Sequence, residues 1–342
     1  ITNHTGQVNW LKLASDKYSN GIMLIGADAN SRLIGLAWNG TNWTTSQLLE
    51  TSLETATKED FDVEYENSGD ALIAWADSAT ASIRGIAYSG GAWGTEGGAP
   101  ASSGQAANFQ WIRAKNYPNT DRIIVCSMDA DADLNCVEWT GSGWGTVSEV
   151  DALAEYTSGS SFRNFDIVPD TSSNSFFVMY GDNNNNYFST VRCFGTSNCQ
   201  AGTWEAVQTF LSGVDIGSDT AWTSLSYDPE NAGKITAVMS AKNPVLDYIA
   251  MISCSNSANS CAADQTSTYL STFSNAAYES VIFNYRAIKP TVPNITTSSS
   301  VTQSTLMTVN LNGVDDLNNN TLNLYCSVSS STPTASNTIC TG

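Results

Sequence analysis

Apolar residues along the chain fall into short runs that occur in groups of four. The first run of each group begins with an aromatic residue, as in Trp10–Leu13 and Phe61–Tyr65. The second is almost entirely apolar, as in Ala71–Ala76, and the third alternates apolar with polar residues, as in Ile83–Tyr88. An all-apolar run predicts a strand buried on both faces, and alternation predicts one buried on a single face. Because turns rich in Asn, Gly, Asp and Ser separate the runs, we predict an all-β protein.

A short motif between the third and fourth runs repeats along the chain. It consists of an aromatic residue, a glycine turn and a tryptophan that begins the fourth run. The fourth group has a looser copy with an insertion that carries two cysteines. A period of about fifty residues is typical of propellers and arrays. The motif tryptophans, which we expect either to pack between blades or to stack on glycans, are Trp43, Trp93, Trp144 and Trp204.

Four antiparallel strands per repeat predict a β-propeller of about five four-stranded blades. A single sheet of this kind cannot bury both apolar faces, whereas neighbouring sheets on each side can. The five groups extend over roughly residues 8–273, and a further strand is predicted at Glu279–Tyr285. This strand either completes a sheet across the two ends of a five-bladed ring or begins another blade, so six blades are the alternative.

The sequence changes character after the propeller domain, which we predict to cover residues 1–288. Pro290 and Pro293 predict a stiff linker at residues 289–293. Beyond it, strand-like runs flank a turn rich in Asp and Asn, as in an immunoglobulin-like sandwich. Residues 294–342 provide roughly half the length of such a domain, so we predict an incomplete Ig-like β-sandwich segment.

The glycine–tryptophan turn on units of four strands resembles the propeller repeats of secreted and cell-surface proteins of archaea and bacteria. It is also similar to the Asp-box turn of sialidase-like propellers, although this chain lacks the paired Ser and Asp. Blades that end in a turn and a Trp resemble those of six-bladed fucose-binding lectins. The run Val314–Leu322 resembles the start of the Ig-like or PKD-like modules of such surface proteins. These resemblances imply an extracellular protein.

The charge of the chain limits its partners. It has 33 acidic and 14 basic residues and a formal net charge of −19. A field of this sign repels nucleic acid and anionic lipid, so we expect neither as a partner. No apolar run is long enough to span a membrane. The chain also lacks a signal peptide, so we expect Ile1 to follow a removed or trimmed segment.

The cysteines and the glycosylation motifs favour secretion. Short gaps within four local cysteine pairs and long gaps between them favour disulfides over a zinc site, and disulfides imply an oxidising compartment. Asn-x-Thr motifs agree with this location. The predicted pairs are Cys126/Cys136, Cys193/Cys199, Cys254/Cys261 and Cys326/Cys340, and the predicted glycosylation sites are Asn3, Asn39, Asn42, Asn294 and Asn319.

Catalysis has little support in the sequence. The only histidine is His4, which argues against Ser-His-Asp and Cys-His mechanisms. A glycosidase needs only two carboxylates, but the sequence context singles out no acidic residue with a raised pKa. Arg32 and Arg84 recur before the third strand and suggest either a site for a sialic-acid carboxylate or solvated surface charge.

A metal site is suggested at one turn. Asp129, Asp131 and Asp133 alternate with alanines, a spacing similar to that of calcium loops. The alternative is that Asp is simply common in hairpin turns, where it tolerates left-handed backbone geometry. We therefore expect no cofactor other than a possible calcium ion.

These observations predict a non-enzymatic extracellular protein that acts in structure or adhesion. We expect a subunit or module of a surface filament or layer, with other copies of itself or other surface proteins as partners. The first alternative is a lectin-like propeller that binds glycans. The second is a secreted glycosidase.

Overall fold

The structure is a computed structural model of the chain. It describes residues 5–100, 108–131, 133–152, 163–170, 175–182, 187–194, 199, 204–205, 208–210, 219–227, 234–242, 247–255 and 266–273. Regular structure in these residues is entirely β-strand, as the sequence predicts. In the same residues there is no helix with the length and apolar character needed to cross a membrane.

The chain divides into two units, Ile1–Tyr285 and Arg286–Gly342, and every described strand belongs to the first. The predicted linker and sandwich segment, residues 289–342, lie outside the described residues. Their assignments therefore stay predictions.

The described strands form five consecutive antiparallel sheets, which we number as blades 1 to 5. Blade 1 contains β1 (Val8–Ser15), β2 (Gly21–Asp28), β3 (Leu33–Asn39) and β4 (Gln47–Glu50). Blade 2 contains β5 (Phe61–Tyr65), β6 (Ala71–Asp77), β7 (Ser82–Ser89), β8 (Ala92–Trp93) and β9 (Gly97–Gly98). Blade 3 contains β10 (Phe109–Asn116), β11 (Ile123–Asp129), β12 (Leu134–Trp139) and β13 (Ser148–Asp151). Blade 4 contains β14 (Phe165–Asp170), β15 (Ser175–Asp182), β16 (Tyr187–Phe194) and β17 (Gln208–Phe210), and blade 5 contains β18 (Asp219–Tyr227), β19 (Lys234–Lys242), β20 (Asp247–Ser255) and β21 (Thr266–Phe273).

The blades are arranged around a common centre. Within each blade, strands that are neighbours in sequence pair in the sheet, except that β8 and β9 both pair with β7. Across blades, the first strands contact one another in order: β1 with β5, β5 with β10, β10 with β14, and β14 with β18. Radially repeated four-stranded sheets of this kind form a β-propeller. The propeller prediction is therefore confirmed.

The core consists of apolar layers between blades. Strands β6 and β11 are buried along their whole length, as their all-apolar runs predict. Blades 2 and 3 therefore each bury one face against the preceding blade and one against the following blade. The layer between blades 1 and 2 contains Met23 and Trp75, that between blades 2 and 3 contains Leu72 and Val125, and that between blades 3 and 4 contains Trp111 and Phe165.

The repeated glycine–tryptophan motif is a tight turn in blades 1 to 3. Gly40 and Gly141 have φ angles of 91° and 88°, in the region that glycine adopts without a Cβ clash. The turn brings the aromatic residue before it onto the tryptophan after it. The facing pairs are Trp38–Trp43, Tyr88–Trp93 and Trp139–Trp144, with ring centroids 5.5, 4.9 and 5.3 Å apart.

Candidate functional site

A pocket of about 310 Å³ lies where the first strands of blades 1, 2 and 3 end. Its walls are the last residues of these strands and the turns that follow them, because β1, β5 and β10 all end on the same side of the propeller. The residues that line it include Lys17 and Tyr18 from blade 1, Glu64, Glu66 and Asn67 from blade 2, and Asn119 from blade 3.

Hydrogen bonds join the three turns in pairs. The Tyr18 hydroxyl donates to Asn67 Oδ1 at 2.7 Å, which links blade 1 to blade 2. Lys17 Nζ donates to Asn119 Oδ1 at 3.1 Å, which links blade 1 to blade 3. The Asn67 backbone N–H donates to the carbonyl of Thr120 at 3.1 Å, which links blade 2 to blade 3. Each turn is thus held by both of the others, and the three blades build one site.

The pocket combines an aromatic surface with acceptors of hydrogen bonds. The Tyr18 side chain is 59% exposed, and Lys17 Nζ lies 5.1 Å from the centre of its ring. The carboxylates of Glu64 and Glu66 line the same space. An exposed ring offers a flat apolar contact, and convergent polar groups fix the orientation of a ligand. This arrangement is suited to a small polar molecule that has one apolar face.

Glu66 is a pocket carboxylate with a raised pKa. Burial raises its pKa to about 7. Its Oε1 accepts a hydrogen bond from Trp139 Nε1 at 2.5 Å, and its Oε2 accepts one from Ser68 Oγ at 3.2 Å. Both donors are neutral and only partly oppose the raised pKa, while the nearby carboxylates of Asp70 and Asp121 raise it further. The charge of Glu66 therefore changes near neutral pH.

Glu64 has a different environment from Glu66. Burial raises its pKa as well, but Lys115 opposes this effect, with its Nζ 3.7 Å from Glu64 Oε2. The pocket thus contains one carboxylate with a cationic partner and one held by neutral donors.

A closed ring of six charged side chains lies on the first strands of blades 1 to 4 and in the residues just before β5 and β14. Three cations alternate with three carboxylates, so each charge has an opposite charge on both sides. All six side chains are largely buried. The shortest N–O distances are 2.8 Å for Lys12–Glu59, 3.7 Å for Lys12–Asp62, 3.1 Å for Arg113–Asp62, 2.9 Å for Arg113–Asp166, 3.3 Å for Arg163–Asp166 and 3.7 Å for Arg163–Glu59.

Two aspartates of this ring also join successive blades through the backbone. Asp62 Oδ2 accepts the N–H of Ala114 in β10 at 2.9 Å, and Asp166 Oδ2 accepts the N–H of Leu225 in β18 at 2.8 Å. Burial alone would raise the pKa of both aspartates, but the neighbouring cations, Arg113 above all for Asp166, outweigh it and lower both pKa values. The cations therefore favour the ionised form of both aspartates, and the two backbone hydrogen bonds join the first strands of successive blades.

The motif tryptophans occupy blade interfaces to different extents. A Cβ atom on Gly35 of blade 1 would lie 2.5 Å from Trp93 Cη2 of blade 2. Likewise, a Cβ atom on Gly85 of blade 2 would lie 2.6 Å from Trp144 Cζ2 of blade 3. Each of these rings fits closely over a glycine of the preceding blade. In contrast, Trp43 is 44% exposed; the fourth motif residue, Trp204, packs against the layer between blades 3 and 4.

Two of the predicted disulfides are formed in the structure. Cys126 and Cys136 face each other directly in β11 and β12, with Cα atoms 4.0 Å apart. Cys193 is bonded to Cys199 across the insertion of blade 4, with Cα atoms 5.5 Å apart. Cys254 lies in β20, and the other predicted pairing residues, Cys261, Cys326 and Cys340, are outside the described residues.

The Asp129 turn is stabilised by hydrogen bonds within the turn. Asp129 Oδ1 accepts the backbone N–H groups of Asp131 and Asp133, both at 3.0 Å, and Asp28 caps the corresponding turn of blade 1 in the same manner. Burial raises the pKa of Asp129 to about 6. Across the described ranges, no group of three or more His, Cys, Asp or Glu residues is arranged to hold a metal ion. Calcium at this turn stays a sequence-based prediction.

The remaining candidate residues do not converge on the pocket. Asn39 and Asn42 are exposed at the turn of blade 1, which is compatible with glycosylation. Arg84 donates from Nε to Glu96 Oε1 of its own blade at 2.6 Å, and the Arg32 backbone N–H donates to Asp28. Residues outside the described ranges are Asn3, His4, Asn294 and Asn319.

The sequence did not indicate the pocket residues Tyr18, Glu64 and Glu66. A signal was present, since the turn after the first strand carries Asp, Asn or Tyr in each of the first three blades. These residue types are common in any turn, however, so the signal does not separate a binding turn from a structural one.

The chain was compared with known proteins. No protein-family model matches it, and no curated protein matches its sequence. Among solved structures, it is similar to the BP39L lectin from Burkholderia pseudomallei, with 12% identity and a TM-score of 0.54 over 74% of this chain and 69% of that one. At this identity the similarity shows the fold alone, a β-propeller.

Two further structures are similar over comparable lengths of this chain. The GH74 enzyme of Niastella koreensis has 15% identity and a TM-score of 0.46, over 75% of this chain and 38% of the enzyme. The Aleuria aurantia lectin, described as a six-bladed β-propeller with a fucose recognition mode, has 12% identity and a TM-score of 0.43, over 75% of this chain and 77% of the lectin.

Proposed function

We propose that this protein is a secreted, non-catalytic β-propeller that binds carbohydrate in the pocket formed by blades 1, 2 and 3. The pocket carries the proposal, because it combines an exposed aromatic ring with carboxylates on a site that hydrogen bonds hold together. The shared fold with the BP39L lectin supports it. The two disulfides support secretion, since such bonds persist in oxidising compartments. This proposal places the lectin interpretation ahead of the filament or layer interpretation.

Each wall of the pocket has a role in this proposal. The ring of Tyr18 stacks on the apolar face of a sugar, and its hydroxyl keeps the ring in place through Asn67. Glu66 accepts hydrogen bonds from sugar hydroxyls when it is ionised. Hydrogen bonds to a charged acceptor are stronger than those to a neutral one, so the ionised pocket binds more tightly.

The charge of the pocket favours a neutral sugar over an acidic one. Glu64 and Glu66 line the pocket, and an anionic ligand would lie against both of them. Lys17 is engaged by Asn119 and by the Tyr18 ring. The net charge of −19 also repels anionic ligands at longer range. We therefore propose neutral glycans as the ligand class.

Glycan-array screening of the full chain, followed by calorimetric titration with neutral sugars and with matched uronic acids, tests the proposal. Tyr18→Ala should weaken binding about tenfold, equivalent to about 1.4 kcal/mol. Ser89→Ala is the control, since Ser89 is exposed at the end of β7 and is not a pocket residue. Absence of glycan binding, or unchanged binding by Tyr18→Ala, would contradict the proposal. Preference for the uronic acids would contradict the ligand class alone.

A second candidate function is glycoside hydrolysis, which one observation favours. Glu64 and Glu66 line the same pocket, and the pKa of Glu66 is raised to about 7, as in a general acid. Incubation of the bound glycan with the protein, followed by analysis of its reducing ends, separates the two functions. Hydrolysis that Glu66→Gln abolishes while glycan binding persists would establish the enzyme.

A further inference from the structure

Each of blades 2 to 5 has a pair of residues at the same position in its sheet, and this pair is buried on the side of the preceding blade. The pair consists of a residue on the first strand and its direct partner on the second strand. In each of these blades both members are buried. The pairs are Val63–Ile73, Ala114–Val125, Ile167–Val178 and Leu225–Ala237.

Blade 1 has the same pair, Leu13–Leu24, but leaves it open. Leu13 is 67% exposed and Leu11, two residues earlier on the same face, is 58% exposed. Trp43 is exposed as well, although its counterparts Trp93 and Trp144 cover glycines of a preceding blade. We call the surface formed by Leu11, Leu13, Leu24 and Trp43 the blade 1 open face. It is an apolar sheet face with the same strand pairing as the faces that are buried in blades 2 to 5.

We propose that Glu279–Tyr285 covers Leu11 and Leu13 of the blade 1 open face as the first strand of a sixth blade. Glu279–Tyr285 lies outside the described residues, and the first unit of the chain extends to Tyr285, beyond the end of β21 at Phe273. The first strands of the described blades contact one another in chain order. The next first strand after β18 therefore belongs between β18 and β1, which is where the open face lies.

The chemistry of the segment fits this position. Val281, Ile282, Phe283 and Tyr285 give it the apolar and aromatic character of the other first strands. An apolar patch of this kind on a soluble protein usually marks a contact surface. In this arrangement the strand begins another blade and covers the face of blade 1, rather than extending the edge of the blade 1 sheet.

Photo-cross-linking of the full chain tests the contact directly. A benzophenone amino acid at Leu13, or in a second variant at Leu11, should form a cross-link within one chain to a peptide that contains residues 279–285. The same probe at Ser89, exposed on blade 2, is the control and should not yield that peptide. A cross-link between two chains, a cross-link to another peptide, or a yield no higher than that of the control would overturn the proposal.

Hydroxyl-radical footprinting provides a test that needs no substitution. In the unmodified protein at low concentration, Leu11 and Leu13 should be as well protected as the buried Val63. Tyr18, 59% exposed and outside the open face, should be oxidised and serves as the internal control. Oxidation of Leu13 well above that of Val63 would overturn the proposal. Protection of Leu13 that is seen only at high protein concentration would also overturn the proposal, because a second copy of the chain would then cover this residue.

Discussion

Replacement of Gly35 by alanine tests whether Trp93 is a packing residue of the propeller. The new Cβ atom would lie 2.5 Å from Trp93 Cη2, 2.9 Å from Trp93 Cζ2 and 3.0 Å from Leu49 Cδ1. Carbon atoms at such distances overlap, so the ring must shift within the layer between blades 1 and 2, which also contains the fully buried Trp75. Overpacking of this kind costs about 1–3 kcal/mol. The smaller backbone entropy of alanine in the unfolded chain offsets about 0.4–1 kcal/mol of this cost.

Urea unfolding followed by tryptophan fluorescence measures the effect. Gly97→Ala is the matched control, because a Cβ atom there meets nothing within 4 Å, and its stability should change by less than about 0.5 kcal/mol. Trp93→Phe should recover part of the loss in the Gly35→Ala background, since the smaller ring leaves room for the methyl group. The packing argument is refuted if Gly35→Ala is as stable as Gly97→Ala. It is also refuted if Trp93→Phe destabilises Gly35→Ala as much as it destabilises the wild type.

Two further predictions concern buried charge. Arg113→Met should cost about 3–5 kcal/mol in urea unfolding at pH 7, because it leaves Asp62 and Asp166 buried without their shared cation. Both aspartates have lowered pKa values, so this difference from the wild type should be present above about pH 4 and shrink at lower pH; a pH-independent difference would contradict the ring's role. Sugar affinity, measured by calorimetry, should rise as the pH increases through about 7 and Glu66 ionises, and Glu66→Gln should remove this step. A pH-independent affinity in the wild type would exclude Glu66 from binding.

The repeat could be predicted from the sequence because its determinants are local. The all-apolar run that forms β6 predicts a strand buried on both faces, and the structure buries every residue of it. The glycine before Trp43 predicts a tight turn, and Gly40 adopts a positive φ angle there. The short gap between Cys126 and Cys136 predicts their disulfide. In each case a few neighbouring residues carry the information.

The charged ring and the pocket depend on contacts between distant residues. Phe61-Asp62 and Phe165-Asp166 are repeated dipeptides that the sequence displays, but only the packing of the first strands shows that both aspartates face Arg113 of blade 3. Glu66 resembles any turn glutamate until blade 3 supplies Trp139, 73 positions away in the sequence. Its raised pKa comes from burial, which is a property of the assembled blades.

The sequence by itself therefore determined the strands, their turns, the propeller repeat and two disulfides, since hydrophobic periodicity and turn chemistry act over a few residues. Only the tertiary structure decided that the turns of three blades meet in one pocket and that the described residues leave one face of blade 1 open, whereas blades 2 to 5 bury the equivalent face. The physical reason is that inter-blade packing brings together residues about fifty positions apart, and it is this packing that sets their burial, their pKa values and their partners.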